Sequence, residues 1–202
     1  MSRINFGQRA GVTPTPVLLI GTYNEDGSAN AMIATWGVTA TWEVVELNLY
    51  KVRKTTDNIK LRKAFTVSVV TRDTLAQCDY LGTVTAKKDP DKVRRVGLTP
   101  LRSRNVDAPY FKELPVTMEC ELLRIDPEED DISERVLGVV KNIAIEESVL
   151  TDDKRMLDFS KLNPVCWDNF SDDYFAIGEN LGRWFTLGKK FRPKTNQNNH
   201  TT

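Results

Sequence analysis

The chain has 202 residues, of which 40% are hydrophobic and 28% are charged, so it contains enough apolar side chains for a folded core. Its 28 basic residues balance 28 acidic ones, which excludes the broad positive surface of a nucleic-acid binder and restricts any anion site to a local cluster. No Gly/Ser-rich or Pro-rich linker divides the chain. We expect a single domain over residues 1–190 and a polar, disordered tail over residues 191–202.

The first part of the chain predicts mainly strands. Residues 17–23 and 29–38 are largely apolar and are joined by an Asp26-Gly27 turn, a pattern typical of a β-hairpin. Residues 44–50 alternate apolar and polar side chains, as a half-buried strand does. Beyond them the pattern predicts a helix, a strand and two more helices, over residues 56–63, 65–70, 74–81 and 89–96 in that order.

The second part returns to long strands. Residues 116–125 alternate cleanly, and residues 135–145 are predicted to be their antiparallel partner beyond an acidic loop at 126–131. Strands that follow one another, with a few short helices between them, favour an antiparallel barrel over a doubly wound parallel sheet. We therefore predict a mainly β fold, a β-barrel with a few short helices.

Histidine and cysteine chemistry is limited in this sequence. The single histidine, His200, lies in the polar tail, so Ser-His-Asp and Cys-His mechanisms and His-ligated zinc are not expected within one chain. Cys78, Cys120 and Cys166 match neither a disulfide framework nor a zinc spacing, and we expect them to be free thiols in a reducing cytosol. No metal site is predicted. If the protein is an enzyme, an organic cofactor is then expected to perform the difficult step.

Targeting signals are not recognisable either. No apolar run approaches the ~20 residues of a membrane-spanning helix, and residues 1–6 lack the apolar core of a signal peptide. We expect a cytoplasmic protein with neither a membrane nor a nucleic acid as its partner.

The best candidate for a ligand site is the segment 51–58, where cations and hydroxyls crowd beyond a predicted strand. A helix that begins near Thr56 offers free backbone N–H groups and the positive end of its dipole. The Thr55 and Thr56 hydroxyls are further donors, and Arg53 is a forked one. These groups suit a phosphate monoester. Judged by itself, the segment favours an ordinary capped helix whose lysines point into water.

Several motifs occur in a fixed order along the chain: Pro14-x-Pro16-Val17, Asp26-Gly27-x-x-Asn30-Ala31, Thr56-x-Asn58-Ile59, Asp79-Tyr80-Leu81-Gly82-x-x-Thr85, Asp91-Lys92 and Tyr174-Phe175-Ala176-Ile177-Gly178. In these residues the chain resembles the flavin reductase-like proteins of the FMN-binding split-barrel superfamily, and the flavoredoxin branch in particular. The resemblance extends over residues 14–189. It implies a six-stranded antiparallel split barrel that forms a homodimer and holds FMN near the subunit interface.

The resemblance also implies where the cofactor is bound. Residues expected along the flavin ring are Asn30, Ala31, Thr35 and Trp36. Residues expected at the phosphate are Lys51, Arg53, Thr55 and Thr56, with Gly82, Thr83, Thr85 and Lys92 beside it. The candidates to cover the ring are Trp36, Trp42, Trp167 and Trp184, of which Trp36 is best placed by sequence. Aromatic residues in barrels more often pack in the core or at an interface. No catalytic side chain is implied, because the flavin carries the chemistry.

The activity implied by the resemblance is that of an NAD(P)H:flavin reductase or a flavoredoxin-like electron-transfer flavoprotein, reduced by NADH, NADPH or a redox protein. Two alternatives stay open: a non-catalytic FMN-binding or storage module, and an enzyme of the pyridoxamine-phosphate-oxidase type, whose usual histidine this chain cannot supply. The apolar segment 174–185 is expected to pack across a partner subunit.

Overall fold

The structure is a computed structural model that describes residues 2–8, 10–129 and 132–192. His200, nearly all of the predicted tail and two residues of the acidic loop lie outside the described residues. The strands are β1 (Thr15–Pro16), β2 (Leu18–Tyr23), β3 (Ala29–Ala34), β4 (Gly37–Thr39), β5 (Val44–Tyr50), β6 (Ala64–Val69), β7 (Pro100–Arg102), β8 (Pro109–Phe111), β9 (Val116–Pro127), β10 (Ser133–Ile145), β11 (Val165–Trp167) and β12 (Tyr174–Ala176). The α-helices are α1 (Lys54–Arg62), α2 (Leu75–Thr83), α3 (Lys92–Arg95) and α4 (Phe159–Leu162), and 3-10 helices cover Arg72–Thr74, Glu147–Val149 and Leu187–Phe191.

The main sheet is antiparallel and contains seven strands in the order β3-β2-β6-β9-β10-β5-β4. Its two edge strands, β3 and β4, are separated along the chain only by Thr35 and Trp36. β3 pairs with β2, whereas β4 pairs with β5, and the Asn48 N–H donates to the Trp36 carbonyl at 2.9 Å. The sheet therefore curls until one interrupted strand joins its two edges. The predicted split barrel is confirmed, and the sheet has seven strands instead of six because that strand is broken in two.

The hairpin strand β2 is buried on both faces, which explains its continuous apolar sequence. One of its faces points into the barrel, where it meets side chains of the other strands and Ile59 of α1. The opposite face is covered by α2 and α3. Side chains inside the barrel include Ile20, Leu47, Phe65, Val67 and Val136, and those between the sheet and the helices include Leu19, Ala31, Cys78, Leu81 and Val93.

Helix α1 begins two residues earlier than the sequence predicts. A threonine is a favoured N-cap, but the Thr56 hydroxyl turns back to donate to the Tyr50 carbonyl at 2.9 Å, and the N-cap position is taken by Arg53. The helix ends at Lys63, whose left-handed backbone (φ 56°) lets its N–H donate to the Ile59 carbonyl. The helix predicted over 89–96 is only the single turn of α3. The residues before it form a separate turn, in which the N–H groups of Lys88 and Asp89 donate to the Thr85 carbonyl.

The C-terminal segment carries exposed apolar side chains. β12 pairs with β11, and β11 pairs with β1, in a small sheet of three strands. Beyond it the chain is irregular, Trp184 stacks on Phe185 with 4.3 Å between ring centroids, and Leu181 is exposed as well. That the segment packs across a partner subunit stays a prediction.

Within the described part of the chain no helix has the length and apolarity to span a membrane.

Gly82→Ala tests how closely α2 packs on the barrel. A Cβ at this position would lie 2.4 Å from Cγ2 of Ile33 on β3. We expect the substitution to lower the free energy of unfolding by about 1–3 kcal/mol through overpacking, although alanine favours helix by about 1 kcal/mol. Gly178→Ala is the control, since nothing lies within 4 Å of a Cβ there. Equal urea midpoints of unfolding for Gly82→Ala and Gly178→Ala would contradict the close approach of α2 to β3.

Candidate functional site

A half-open cleft of about 250 Å³ lies beside the break between β3 and β4. Its walls come from the end of β3 with the break itself, from the end of β5, from Arg53 and from Trp167 on β11. The residues that line it are Met32, Ile33, Ala34, Thr35, Trp36, Asn48, Leu49, Tyr50, Arg53 and Trp167. Among these described residues only Arg53 carries a charge. The cleft is therefore a largely apolar slot with a cation at one place.

Two tryptophans shape this cleft. Trp36 lies in the strand break with its side chain about half exposed (48%), since its carbonyl bonds to Asn48 on β5 while its ring is left outside the barrel. Trp167 belongs to the small sheet, where it pairs with Thr15 of β1. Walls of this kind suit a flat aromatic ligand, because stacking on an indole buries a large area in a defined geometry.

The charged end of the cleft coincides with the start of α1. Arg53 is the N-cap residue and its side chain makes no capping hydrogen bond; a guanidinium contains no acceptor with which to do so. The first-turn N–H groups of a helix have no partners within the helix, and its dipole is positive at that end. Here the Thr56 N–H already donates to the Arg53 carbonyl at 3.1 Å, which leaves the N–H groups of Lys54 and Thr55 for a ligand. Together with the cation of Arg53, they favour an anion.

Hydrogen bonds join the start of α1 to the loop that follows α2. Arg53 donates to the Gly82 carbonyl at 3.2 Å. Lys87 donates to the Val52 carbonyl at 3.0 Å and pairs with Asp57 at 2.8 Å. The structure therefore brings together the two segments for which the resemblance implies phosphate binding.

The predicted threonines differ in what their hydroxyls can do. Thr56 is fully buried and its only hydroxyl hydrogen is taken by the Tyr50 carbonyl, so this side chain is not a free donor for a phosphate. Thr55 is also buried and accepts a hydrogen bond from Asn30 at 2.9 Å. In the loop after α2, the exposed Thr83 hydroxyl donates to the Tyr80 carbonyl at 2.8 Å, while the Thr85 hydroxyl accepts from the Lys87 N–H.

The residues predicted along the ring divide into two groups. Thr35 and Trp36 line the cleft, as their predicted role requires. Asn30 and Ala31 are buried in the interior and are not among its lining residues. The contact of these two residues with the ring stays a prediction. Lys51 lies in the turn before α1, with its N–H bonded to the Ile132 carbonyl, and is not part of the lining either.

Lys92 is buried instead of exposed beside a phosphate. Its ammonium donates to the carbonyls of Leu81 and Val84, at 3.0 and 3.1 Å, and so caps the C-terminal end of α2. Burial, helped by the nearby charge of Arg53, lowers the pKa of Lys92 to about 8. The sequence places Lys92 in a basic run with Arg94 and Arg95, and such runs are usually solvated; the packing of α3 against the end of α2 reverses this.

Most of the cleft lining was not predicted. The missed residues with polar or aromatic side chains are Asn48 and Tyr50, and Trp167 is predicted only as one of four candidate tryptophans, behind Trp36. Asn48 is recognisable as a polar residue in an alternating strand, but its neighbours depend on the curl of the sheet. Trp167 is far from Trp36 in sequence, and only the pairing of β11 with β1 brings it to the cleft.

The thiols do not take part in this site. Cys78, Cys120 and Cys166 are free and buried, as predicted. Burial raises the pKa of Cys78 and that of Cys120 to about 12, so both stay protonated at neutral pH. The described residues contain no cluster of side chains that could hold a metal ion.

Comparison with known proteins agrees with this architecture. A model of the flavin reductase like domain family matches residues 10–161. The match covers well over half of the chain, and the chain therefore belongs to this family.

Individual relatives extend the likeness over nearly the whole chain. Flavoredoxin of Desulfovibrio vulgaris (Miyazaki F) aligns over 93% of this chain and 100% of its own, with a TM-score of 0.86 and 33% identity. Flavoredoxin from Methanosarcina acetivorans aligns over 95% of this chain and 100% of its own, with a TM-score of 0.83; at 22% identity it shows the fold alone. An uncharacterised protein of Pyrococcus abyssi is 30% identical over 146 residues, which are 70% of this chain and 81% of its own.

Lys92→Met tests whether the lysine is buried at the end of α2. Because the folded pKa of about 8 lies below the ordinary value of 10.5, the unfolded chain binds more protons than the folded chain between these values. Lys92 thus makes stability rise with pH across this window. We expect the wild type to gain stability relative to Lys92→Met between about pH 7 and about pH 10 in urea denaturation. Lys88 is exposed, so the wild type should show no such gain relative to Lys88→Met. An equal gain relative to both variants would contradict the burial of Lys92.

Proposed function

We propose that this protein binds FMN in the cleft and acts as a flavin-dependent oxidoreductase, either a flavoredoxin-like electron carrier or an NAD(P)H:flavin reductase. The observation that carries the proposal is the pairing of a tryptophan-walled apolar slot with Arg53 at the open start of α1. The flavin reductase like family and the relative named flavoredoxin support the same choice.

The two parts of FMN match the two parts of the site. The flat, mostly apolar ring fits between the strand break at Thr35 and Trp36 and the wall formed by Trp167. The phosphate fits at Arg53 and the first turn of α1, where a guanidinium and backbone N–H groups provide charge-assisted hydrogen bonds. Thr56 and Lys92, whose polar atoms are already bonded in the interior, are left out of this assignment.

The protein's part in the reaction is to hold and orient the cofactor. Bound FMN supplies hydride and electron transfer at its ring. The side chains of residues 32–36 and Trp167 restrict access of water to one face of the slot. Arg53, tied to the Gly82 carbonyl, fixes the charged end. Alignment of the ring with a donor in a dry slot is what such a transfer needs from the chain.

A second copy of the chain is the proposed partner. Trp42 is fully exposed at the tip between β4 and β5, and the segment beyond β12 exposes Leu181, Trp184 and Phe185. Large apolar side chains exposed at two places of a small protein are typical of an interface. We propose that these side chains are covered in a homodimer. We also propose that the protein is cytoplasmic.

Sedimentation equilibrium tests the dimer. The measured mass should be twice that of one chain, and a monomer at micromolar concentration would contradict the dimer.

Arg53→Ala tests the phosphate site. A hydrogen bond to a charged group contributes about 1.5–3 kcal/mol, so we expect FMN to bind roughly 10- to 100-fold more weakly. Riboflavin, which lacks the phosphate, should lose little affinity. Binding is measured by quenching of flavin fluorescence.

Lys60→Ala is the matched control for this experiment. Lys60 is a cation of the same helix but lies at its other end, paired with Glu134 at 2.7 Å. The control should bind both flavins as the wild type does. If Arg53→Ala weakens FMN and riboflavin equally, the phosphate is not held at the start of α1.

Anaerobic reduction separates the two proposed activities. We expect the FMN-loaded protein to bleach when a suitable donor is added, and the absorbance of the flavin reports the rate. Rapid bleaching with NADH or NADPH identifies a flavin reductase, whereas bleaching only with a reduced redox protein identifies an electron carrier. FMN that stays bound and is reduced by none of these donors would contradict the oxidoreductase and favour a storage module.

A further inference from the structure

A network of buried polar side chains connects the β2–β3 hairpin to the first turns of α1. Thr22 on β2 accepts hydrogen bonds from the amide nitrogens of both Asn30 and Asn58, each at 3.1 Å. Asn30 on β3 also donates to the Thr55 hydroxyl at 2.9 Å, and Asn58 donates to the Asn24 side chain at 2.8 Å. All five residues are at least nine-tenths buried. One hydroxyl, that of Thr22, therefore joins two strands and a helix.

The network is not the most stable way to fill this space. The side-chain oxygens of Asn30 and Asn58 are buried and have no hydrogen-bond partner among the described residues. A buried polar network with unsatisfied members is less stable than apolar packing of the same shape. A role in orientation explains it better than a role in stability.

What the network orients is the start of α1. Thr55 is the second residue of the helix, directly after Lys54 and two residues after the N-cap Arg53. The bond from Asn30 holds Thr55 to β3, and Asn58 holds the next turn to β2 through Thr22. The N–H groups of the first turn are thereby fixed in direction relative to the barrel, and so is the backbone from which Arg53 projects.

We propose that Thr22, Asn30 and Asn58 are positioning residues that preset the first turn of α1 for a phosphate monoester. The inference rests on the proposed function. It adds that these three residues determine how strongly the protein prefers FMN to riboflavin. Donors held in place before binding need not be ordered by the ligand, so a fixed turn binds an anion more tightly than a mobile one. The ring is assigned to the slot beside Thr35, Trp36 and Trp167, so we expect the affinity for riboflavin to depend little on the order of this turn.

Thr22→Val and Thr117→Val form a matched pair for the test. Each replaces a buried threonine hydroxyl by a methyl group of nearly the same size. Thr117 pairs with Ser68 at 2.8 Å, between β6 and β9, and no hydrogen bond among the described residues links it to α1. We expect Thr22→Val to weaken FMN about tenfold relative to riboflavin, by loss of preorganisation. Thr117→Val should leave the ratio of the two affinities unchanged, although it also loses stability.

Two further variants complete the test. Thr22→Ser keeps the hydroxyl and should restore the ratio. Asn30→Ser, whose shorter side chain no longer reaches Thr55, should reproduce the selective loss of FMN if Thr22→Val fails to fold. All affinities are measured by quenching of flavin fluorescence, with folding checked by circular dichroism.

The outcomes separate this inference from the proposed function. If the wild type prefers FMN but Thr22→Val and Asn30→Ser keep that preference, the network has no positioning role and the inference is wrong. If the wild type binds FMN and riboflavin equally, the phosphate site of the proposed function itself fails. If Thr22→Val and Thr117→Val lose the preference for FMN over riboflavin equally, the loss comes from lower overall stability. That outcome also overturns the inference.

Discussion

The closure of the barrel by one interrupted strand is the constraint from which the site follows. β3 keeps its bonds to β2, and two residues later β4 has changed partners to β5. At the change, Trp36 bonds to Asn48 through its backbone, and its ring is left at the surface. The gap between the two halves becomes a slot. A continuous strand would place alternate side chains on the two faces of the sheet and leave no such opening.

The electrostatics of the site depend on the junction between α1 and α2. The chain has no net charge, so any attraction for an anion has to be local. Arg53 and Lys92 both bond to carbonyls at the C-terminal end of α2, where the helix dipole is negative. This end of α2 therefore anchors two cations directly behind the open start of α1. Only Arg53 reaches the cleft, because the buried ammonium of Lys92 is bonded to carbonyls at the end of α2.

Much of the fold could be predicted from sequence, because hydrophobic alternation and the Asp26-Gly27 turn are local signals. The strands β5, β6, β9 and β10 appear within two residues of their predicted bounds. Site residues were harder to predict, since residue type does not reveal burial. Thr56 has the side chain of an N-cap but bonds to Tyr50 instead, and Lys92 has the side chain of a surface cation but is buried. Both outcomes depend on contacts between distant segments.

A crystal structure of the complex with FMN tests the central claim most directly, that the cleft and the start of α1 form one flavin site. The account predicts the ring against Trp36 and Trp167, and the phosphate within hydrogen-bond distance of the Arg53 guanidinium and the first-turn N–H groups of α1. A phosphate bound away from α1, or a ring outside the slot at the strand break, would contradict it.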